Sequence, residues 1–125
     1  MVDTSAWVAY FRPGKSATSS RVRQLIQNYQ AFLTGPVLAE MLQGVKGKKE
    51  EKDLETTFSI LPFIEVQRSD WEVAGVQLLK LRQKGVTVPL TDAVIAAVAR
   101  RKRLKVLTLD RHFDHLEVEL DRPGS

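Results

Sequence analysis

Apolar residues recur along the chain in two periods, and the alternation between them predicts short strands separated by helices. Met1-Val2 begins apolar and runs into Asp3-Thr4-Ser5, an acid beside two hydroxyls, as where a very short buried strand passes into a helix. Trp7, Tyr10 and Phe11 share one helical face by their i, i+3, i+4 spacing, and Pro13-Gly14 breaks the run. Ser19 and Ser20 read as caps of a helix carrying Val22, Leu25, Ile26 and Tyr29. Ala31 to Thr34 is a short apolar strand, and Gly35-Pro36 opens a helix striped by Val37, Leu38, Met41, Leu42 and Val45, with Lys46 to Lys49 at its exposed end. Leu54, Phe58 and Leu61 mark a further helix, closed by Pro62 before a strand over Phe63 to Val66.

In the second half, Ser69-Asp70-Trp71-Glu72 has the form of a capping box, and Trp71, Ala74, Leu78 and Leu81 repeat at helical spacing until Gly85. Asp92 precedes Ala93 to Ala99, a helix apolar all round and therefore buried on most sides, which ends in Arg100-Arg101-Lys102-Arg103. Lys105 to Asp110 reads as a strand, Arg111 to Leu116 as a helical turn, and Val118 with Leu120 as an edge strand. Strands alternating with helices predict an α/β fold whose parallel sheet is covered on both faces.

Composition narrows the class of protein. The 125 residues suit one domain over 1–125, and 43% hydrophobic with 27% charged residues is a globular balance. Cysteine is absent, which removes disulfides, thiolate metal sites and a cysteine nucleophile together and fits a reducing compartment. No apolar run approaches the ~20 residues of a membrane span, and the N-terminus lacks a basic segment followed by an apolar one, so a cytoplasmic chain is expected. The net charge of +4 leans mildly towards polyanionic partners.

Four acids stand where open α/β sheets build their sites, at the carboxyl ends of strands and the first turns of the helices that follow. Asp3 follows the first strand, Glu40 lies about one turn into the helix after the second, Asp92 starts the most apolar helix, and Asp110 ends a strand. Taken singly each has an ordinary reading: Asp92 as a helix-start acid, Glu40 as a solvated helix former, Asp110 as a cap or surface pair. Asp3, an acid directly after a buried strand, is the hardest to read that way. Four crowded carboxylates cannot all stay ionised without cations, and oxygen donors suit Mg²⁺ or Mn²⁺. Such a site activates water for phosphodiester hydrolysis, with two metals roughly 3.5–4 Å apart if both bind.

Other groupings carry less. His112 and His115 at i, i+3 lack partner ligands and read as surface or packing residues. Gly44 to Lys49 does not match phosphate-loop spacing, the serines lack a nucleophile elbow, and Arg100 to Lys105 reads first as a helix-end charge cluster and second as an RNA contact.

Val2-Asp3-Thr4-Ser5-Ala6-Trp7, Glu40, Leu90-Thr91-Asp92-Ala93-Val94-Ile95-Ala96-Ala97 and Leu107-Thr108-Leu109-Asp110-Arg111-His112-Phe113, in this order, resemble the PIN-domain family over nearly the whole chain, in particular the VapC-type toxins of toxin–antitoxin pairs. All four acids match. Only two residues precede Asp3, so the first strand is shorter than is common in the family.

The resemblance implies a three-layer α/β/α sandwich with a central, mostly parallel sheet, acting as an endoribonuclease that cuts RNA with metal-activated water. It implies catalytic roles for Asp3, Glu40, Asp92 and Asp110, with Asp3 and Asp92 as direct ligands of Mg²⁺ or Mn²⁺ and Glu40 and Asp110 as ligands directly or through water. Ser5 and Thr108 match the hydroxyl positions that hold carboxylates or waters. A homodimer and a cognate VapB-type antitoxin are implied as partners, the antitoxin laying a C-terminal segment into the active-site groove, with Trp7, Tyr10 and Phe11 as candidate contacts. Two other classes compete: a PIN-like binding domain without turnover, and a phosphoacceptor or phosphatase-like domain. The latter wants paired acids after the first strand or a second aspartate where Ser5 stands.

Overall fold

The computed structural model describes residues 1–123, so the one-domain expectation over 1–125 ends in Gly124 and Ser125, outside the described residues. Eleven elements follow in order: α1 Thr4–Phe11, α2 Ala17–Gln27, β1 Leu33–Thr34, α3 Gly35–Gln43, α4 Lys48–Phe58, β2 Phe63–Ile64, α5 Arg68–Gln83, α6 Leu90–Arg101, β3 Val106–Leu107, a 3-10 turn Arg111–His115, and β4 Leu120–Asp121.

All strand pairing is parallel. β1 pairs with β2, Leu33 opposite Phe63, while β3 pairs with β4, Val106 opposite Leu120. The N-terminal segment adds itself to β3 through Val2 opposite Leu107, with Leu107 N–H donating to Met1 C=O at 2.8 Å and Asp3 N–H to Leu107 C=O at 3.1 Å. The expected central sheet thus takes the form of two parallel ribbons of short strands.

The strands are shorter than their apolar runs because side chains and helix starts claim the backbone. Gly35-Pro36 turns the chain into α3 directly after Thr34. Beyond β3, Leu109 N–H donates to Ser5 Oγ and Asp110 N–H to Thr108 Oγ1, both at 2.9 Å, so these amides leave the ladder for hydroxyls.

α6 is buried from Asp92 to Ala99, as its all-round apolar sequence requires, and packs against α5. Val2, Trp7, Val37, Val94, Val98 and Phe113 are among the fully enclosed side chains of one shared core. α5 ends in a Schellman closure: Gly85 takes φ 79°, its N–H reaches Arg82 C=O and Val86 N–H reaches Leu81 C=O, both at 2.9 Å.

Several boundaries differ from expectation. The cap of α2 is Ser16, whose Oγ accepts from Ser19 N–H at 3.0 Å, so Ser19 sits inside the first turn and Ser20 is not a cap. Lys48 and Lys49 open α4 instead of trailing α3. α5 begins at Arg68, with Asp70 Oδ2 accepting from Gln67 N–H at 2.8 Å, so the cap lies two residues before Ser69. Trp71, expected in the buried stripe, is 49% exposed, whereas Asp70 beside it is 2% exposed. A charged partner explains the exchange: Arg101 Nη2 reaches Asp70 Oδ2 at 2.9 Å and its Nε reaches Oδ1 at 3.0 Å, so the acid can occupy the interior position.

Candidate functional site

The N-terminal segment, the start of α6 and the loop after β3 bring acids to one end of the ribbons. Asp3 caps α1, its Oδ1 accepting from Ala6 N–H at 3.1 Å. Two hydroxyls hold the same carboxylate: Ser5 Oγ donates to Oδ1 and Thr108 Oγ1 to Oδ2, each at 2.7 Å. These are the hydroxyls that accept from Leu109 and Asp110, so Asp3 is tied through them to the loop that carries Asp110. With three bonds accepted on two oxygens, Asp3 Oδ2 keeps one lone pair.

Asp110 caps the 3-10 turn, its Oδ1 accepting from His112 N–H at 2.8 Å. The cap reading and the site reading of this residue therefore coexist. Asp92 stands at the third position of α6, 9% exposed. Its Oδ2 is buried and has no hydrogen-bond partner. An acceptor left this way is costly unless something positive satisfies it. Glu40 comes from α3, and its Oε1 accepts from Thr4 Oγ1 at 2.7 Å, which binds it to the first turn of α1.

The charges act on one another. Burial first, then the charges of Asp110 and Asp3, with a smaller push from Glu40 and against the opposing effect of His112, raise the Asp92 carboxyl to about 6. Asp3 is also raised, by burial first and slightly by Asp110, against the lowering effect of its bonds from Ser5, Thr108 and Ala6. All four predicted acids thus share one field. The tightest set, however, is Asp92, Asp110 and His112, whose donor atoms lie within 4.8 Å of one another.

Two residues escaped sequence reasoning. His112, read as a surface or packing residue, places Nδ1 3.0 Å from Asp110 Oδ1 and 3.4 Å from Asp92 Oδ2. The available signal was its place two residues beyond a capping acid and next to the buried Phe113, which anchors the turn. Thr4 was passed over beside Asp3, although a hydroxyl in a first helical turn can reach a neighbouring element, as it does here with Glu40. Arg100 to Lys105 does not join the site. It sits at the opposite end of α6 from Asp92, about 13 Å along the axis, with Arg101 engaged by Asp70 and Arg100 3.6 Å from Glu117.

The residues fit a hard divalent cation. The test is the buried, unpartnered Asp92 Oδ2 inside a donor set of two carboxylates, Asp92 and Asp110, and the His112 ring. Next to Thr4 and Glu40 a groove of about 450 Å³ runs between α1, α3 and α4, lined by Val8, Phe11, Met41 and Val45 together with the charged Arg12, Lys46, Glu50 and Asp53. Of the three aromatic contact candidates only Phe11 lines it; Trp7 is fully buried, 4.9 Å from the Phe58 ring centre, and belongs to the core. Among the described residues no helix is long and apolar enough to cross a membrane.

Comparison with known proteins identifies the family. Residues 1–119 match the family described as PIN domain. Ribonuclease VapC11 of Mycobacterium tuberculosis is 32% identical over 118 residues, covering 91% of this chain and 88% of that protein. Among solved structures, FitAcB from Neisseria gonorrhoeae has a TM-score of 0.81 at 20% identity, covering 98% of this chain and 96% of the other. VapBC-5 from Mycobacterium tuberculosis, a member of the VapBC family of toxin–antitoxin systems, has a TM-score of 0.62 at 18% identity, with 96% of each chain covered. At these identities the two structures speak for the fold.

Proposed function

The chain belongs to the PIN-domain family, and from that premise we propose that it is a metal-dependent endoribonuclease, the toxin of a toxin–antitoxin pair, acting as one domain over residues 1–125 in the cytoplasm. The similarity to Ribonuclease VapC11 supports RNA as the substrate. The observation that carries the reading is Asp92 Oδ2, buried and unpartnered among other carboxylates.

Asp92 and Asp3 would hold Mg²⁺ or Mn²⁺ directly, and Glu40 and Asp110 would complete the acidic set directly or through water. When bound, the cation neutralises the crowded carboxylates and supplies Lewis-acid stabilisation of charge on the phosphodiester oxygens. Ser5 and Thr108 fix the Asp3 carboxylate by donating one hydrogen bond to each of its oxygens. Thr4 orients Glu40 from the neighbouring helix. Such preorganisation matters because loosely held charged groups would have to reorient during the reaction.

The groove beside Glu40 suits the antitoxin segment: an apolar floor for its side chains, with charges of both signs around it, Arg12 and Lys46 against Glu40, Glu50 and Asp53. A homodimer of this chain completes the set of partners.

The test is cleavage of total and transfer RNA by the antitoxin-free chain with Mg²⁺, Mn²⁺ or chelator, beside Asp92→Asn. The expected result is cation-dependent cutting that the variant loses by about two to three orders of magnitude, the scale of removing one preorganised charge-stabilising group. Equal cutting by folded wild type and variant would overturn the assignment of Asp92. No cutting by a folded chain that binds the cation would favour the PIN-like binding domain without turnover.

A further inference from the structure

We propose that His112 is a nitrogen ligand of the cation site, so that this site favours Mn²⁺ and later transition ions over Mg²⁺. The proposal rests on the reading of Asp92 and its neighbours as a divalent-cation site, and it settles which donors that site offers.

Three observations carry it. First, His112 Nδ1 stands 3.0 Å from Asp110 Oδ1 and 3.4 Å from Asp92 Oδ2. Two atoms bound to one ion at neighbouring octahedral positions lie about 3 Å apart when each bond is about 2.1 Å, so the nitrogen already has a ligand's spacing from both acids. Second, Asp92 Oδ2 is buried without a hydrogen-bond partner although the ring nitrogen is near, so the ring does not satisfy this oxygen by donating to it. A shared cation satisfies both atoms. Third, the ring is carried on a fixed support: His112 N–H donates to Asp110 Oδ1 at 2.8 Å and the next residue, Phe113, is fully buried.

Chemistry then sets the preference. Mg²⁺ takes oxygen ligands and gains little from imidazole, whereas imidazole suits transition ions, whose affinity for a given mixed site rises from Mn²⁺ towards Ni²⁺. Replacing one oxygen of a carboxylate set by a ring nitrogen therefore shifts the site away from Mg²⁺. The half-exposed side chain of His112 leaves room for substitution without disturbing the core.

The experiment uses the full chain, free of antitoxin, and titrates MnCl₂ and MgCl₂ by calorimetry into wild type, His112→Gln and Asp92→Asn. Electron spin-echo envelope modulation of bound Mn²⁺ runs in parallel. The expected result is nitrogen modulation in wild type, its loss in His112→Gln, and a fall of roughly tenfold or more in the Mn²⁺-to-Mg²⁺ affinity ratio, the lower edge of what removing a group around a metal changes. Mn²⁺ bound in an Asp92-dependent way without nitrogen modulation, and with an unchanged ratio, overturns the His112 assignment and leaves the carboxylate site standing. Absence of any binding of either ion to folded wild type overturns both.

Discussion

Asp70 and Asp92 are the same residue type at similar depth, 2% and 9% exposed, near opposite ends of α6, and their surroundings differ completely. Asp70 meets Arg101 in two-pronged contact and also accepts from Gln67 N–H. Burial would raise its carboxyl, but the guanidinium's hydrogen bonds, the Gln67 amide and the charge of Arg101 together hold it below the usual carboxylate range. Asp92 has burial acting in the same direction and three further acids adding to it, with His112 alone in opposition. One buried acid is satisfied by the chain and ties α5 to α6. The other keeps a buried carboxylate oxygen without a hydrogen-bond partner among like charges, which marks it as the functional-site candidate of the two.

The contrast has a sign that pH can read. In the cation-free chain Asp92 titrates at about 6 when folded, above the ~3.9 of an unfolded aspartate, so the folded state binds the extra proton. Its effect is absent below pH 4 and lowers stability as pH rises through 6. Asp92→Asn mimics the protonated form, so its stability relative to wild type should be near zero at pH 4 and rise in favour of the variant by pH 7.5, to about 2 kcal/mol once solvent screening of the partly accessible site is allowed for. Urea unfolding with chelator at the two pH values measures this. A difference that does not change with pH would mean the acids are not coupled as described.

Asp70 should behave oppositely. Its lowered titration contributes stability above pH 4 that disappears as pH falls. Asp70→Asn should cost about 2 kcal/mol at pH 7 through weakened charge-assisted bonds, with the deficit shrinking in acid, while cleavage per folded molecule is unchanged. Thermal unfolding paired with an active-fraction assay separates the two readouts. A specific loss of cleavage would erase the distinction between the two ends of α6.

The same contrast explains what was legible in the sequence. α6 was legible because eight consecutive buried positions begin with an acid and continue as Ala, Val and Ile. The gathering of Asp3, Glu40 and Asp110 around Asp92 in one electrostatic field was legible because strand ends in an α/β chain converge. Asp70 and Trp71 were not, because periodicity assigns the interior to the apolar residue and has no means of seeing Arg101, thirty-one positions away, arrive as a partner. His112 was missed for a related reason: its partners Asp92 and Asp110 are brought to it by a turn whose direction depends on burying Phe113. Strand lengths were overestimated because Ser5 and Thr108 compete for amides by contacts that only the fold creates.

The basic end of α6 supplies the smallest and sharpest test of the division. Arg103 takes φ 57° as the left-handed residue closing α6, with Leu104 N–H reaching Ala99 C=O at 2.8 Å and Arg103 N–H reaching Arg100 C=O at 3.1 Å. This is the closure that Gly85 makes for α5, built here with a side chain that disfavours it. Arg103→Gly removes that strain, partly offset by the greater freedom of glycine in the unfolded chain, for a net gain of about 0.5–1 kcal/mol. If the site is confined to the Asp92 end, RNA cleavage by this variant stays within twofold of wild type, since the lost charge is far from the acids and exposed to screening. A gain in stability with a clear loss of cleavage, steeper at low salt, would instead make this end of the helix a phosphate contact and extend the RNA path along the whole length of α6.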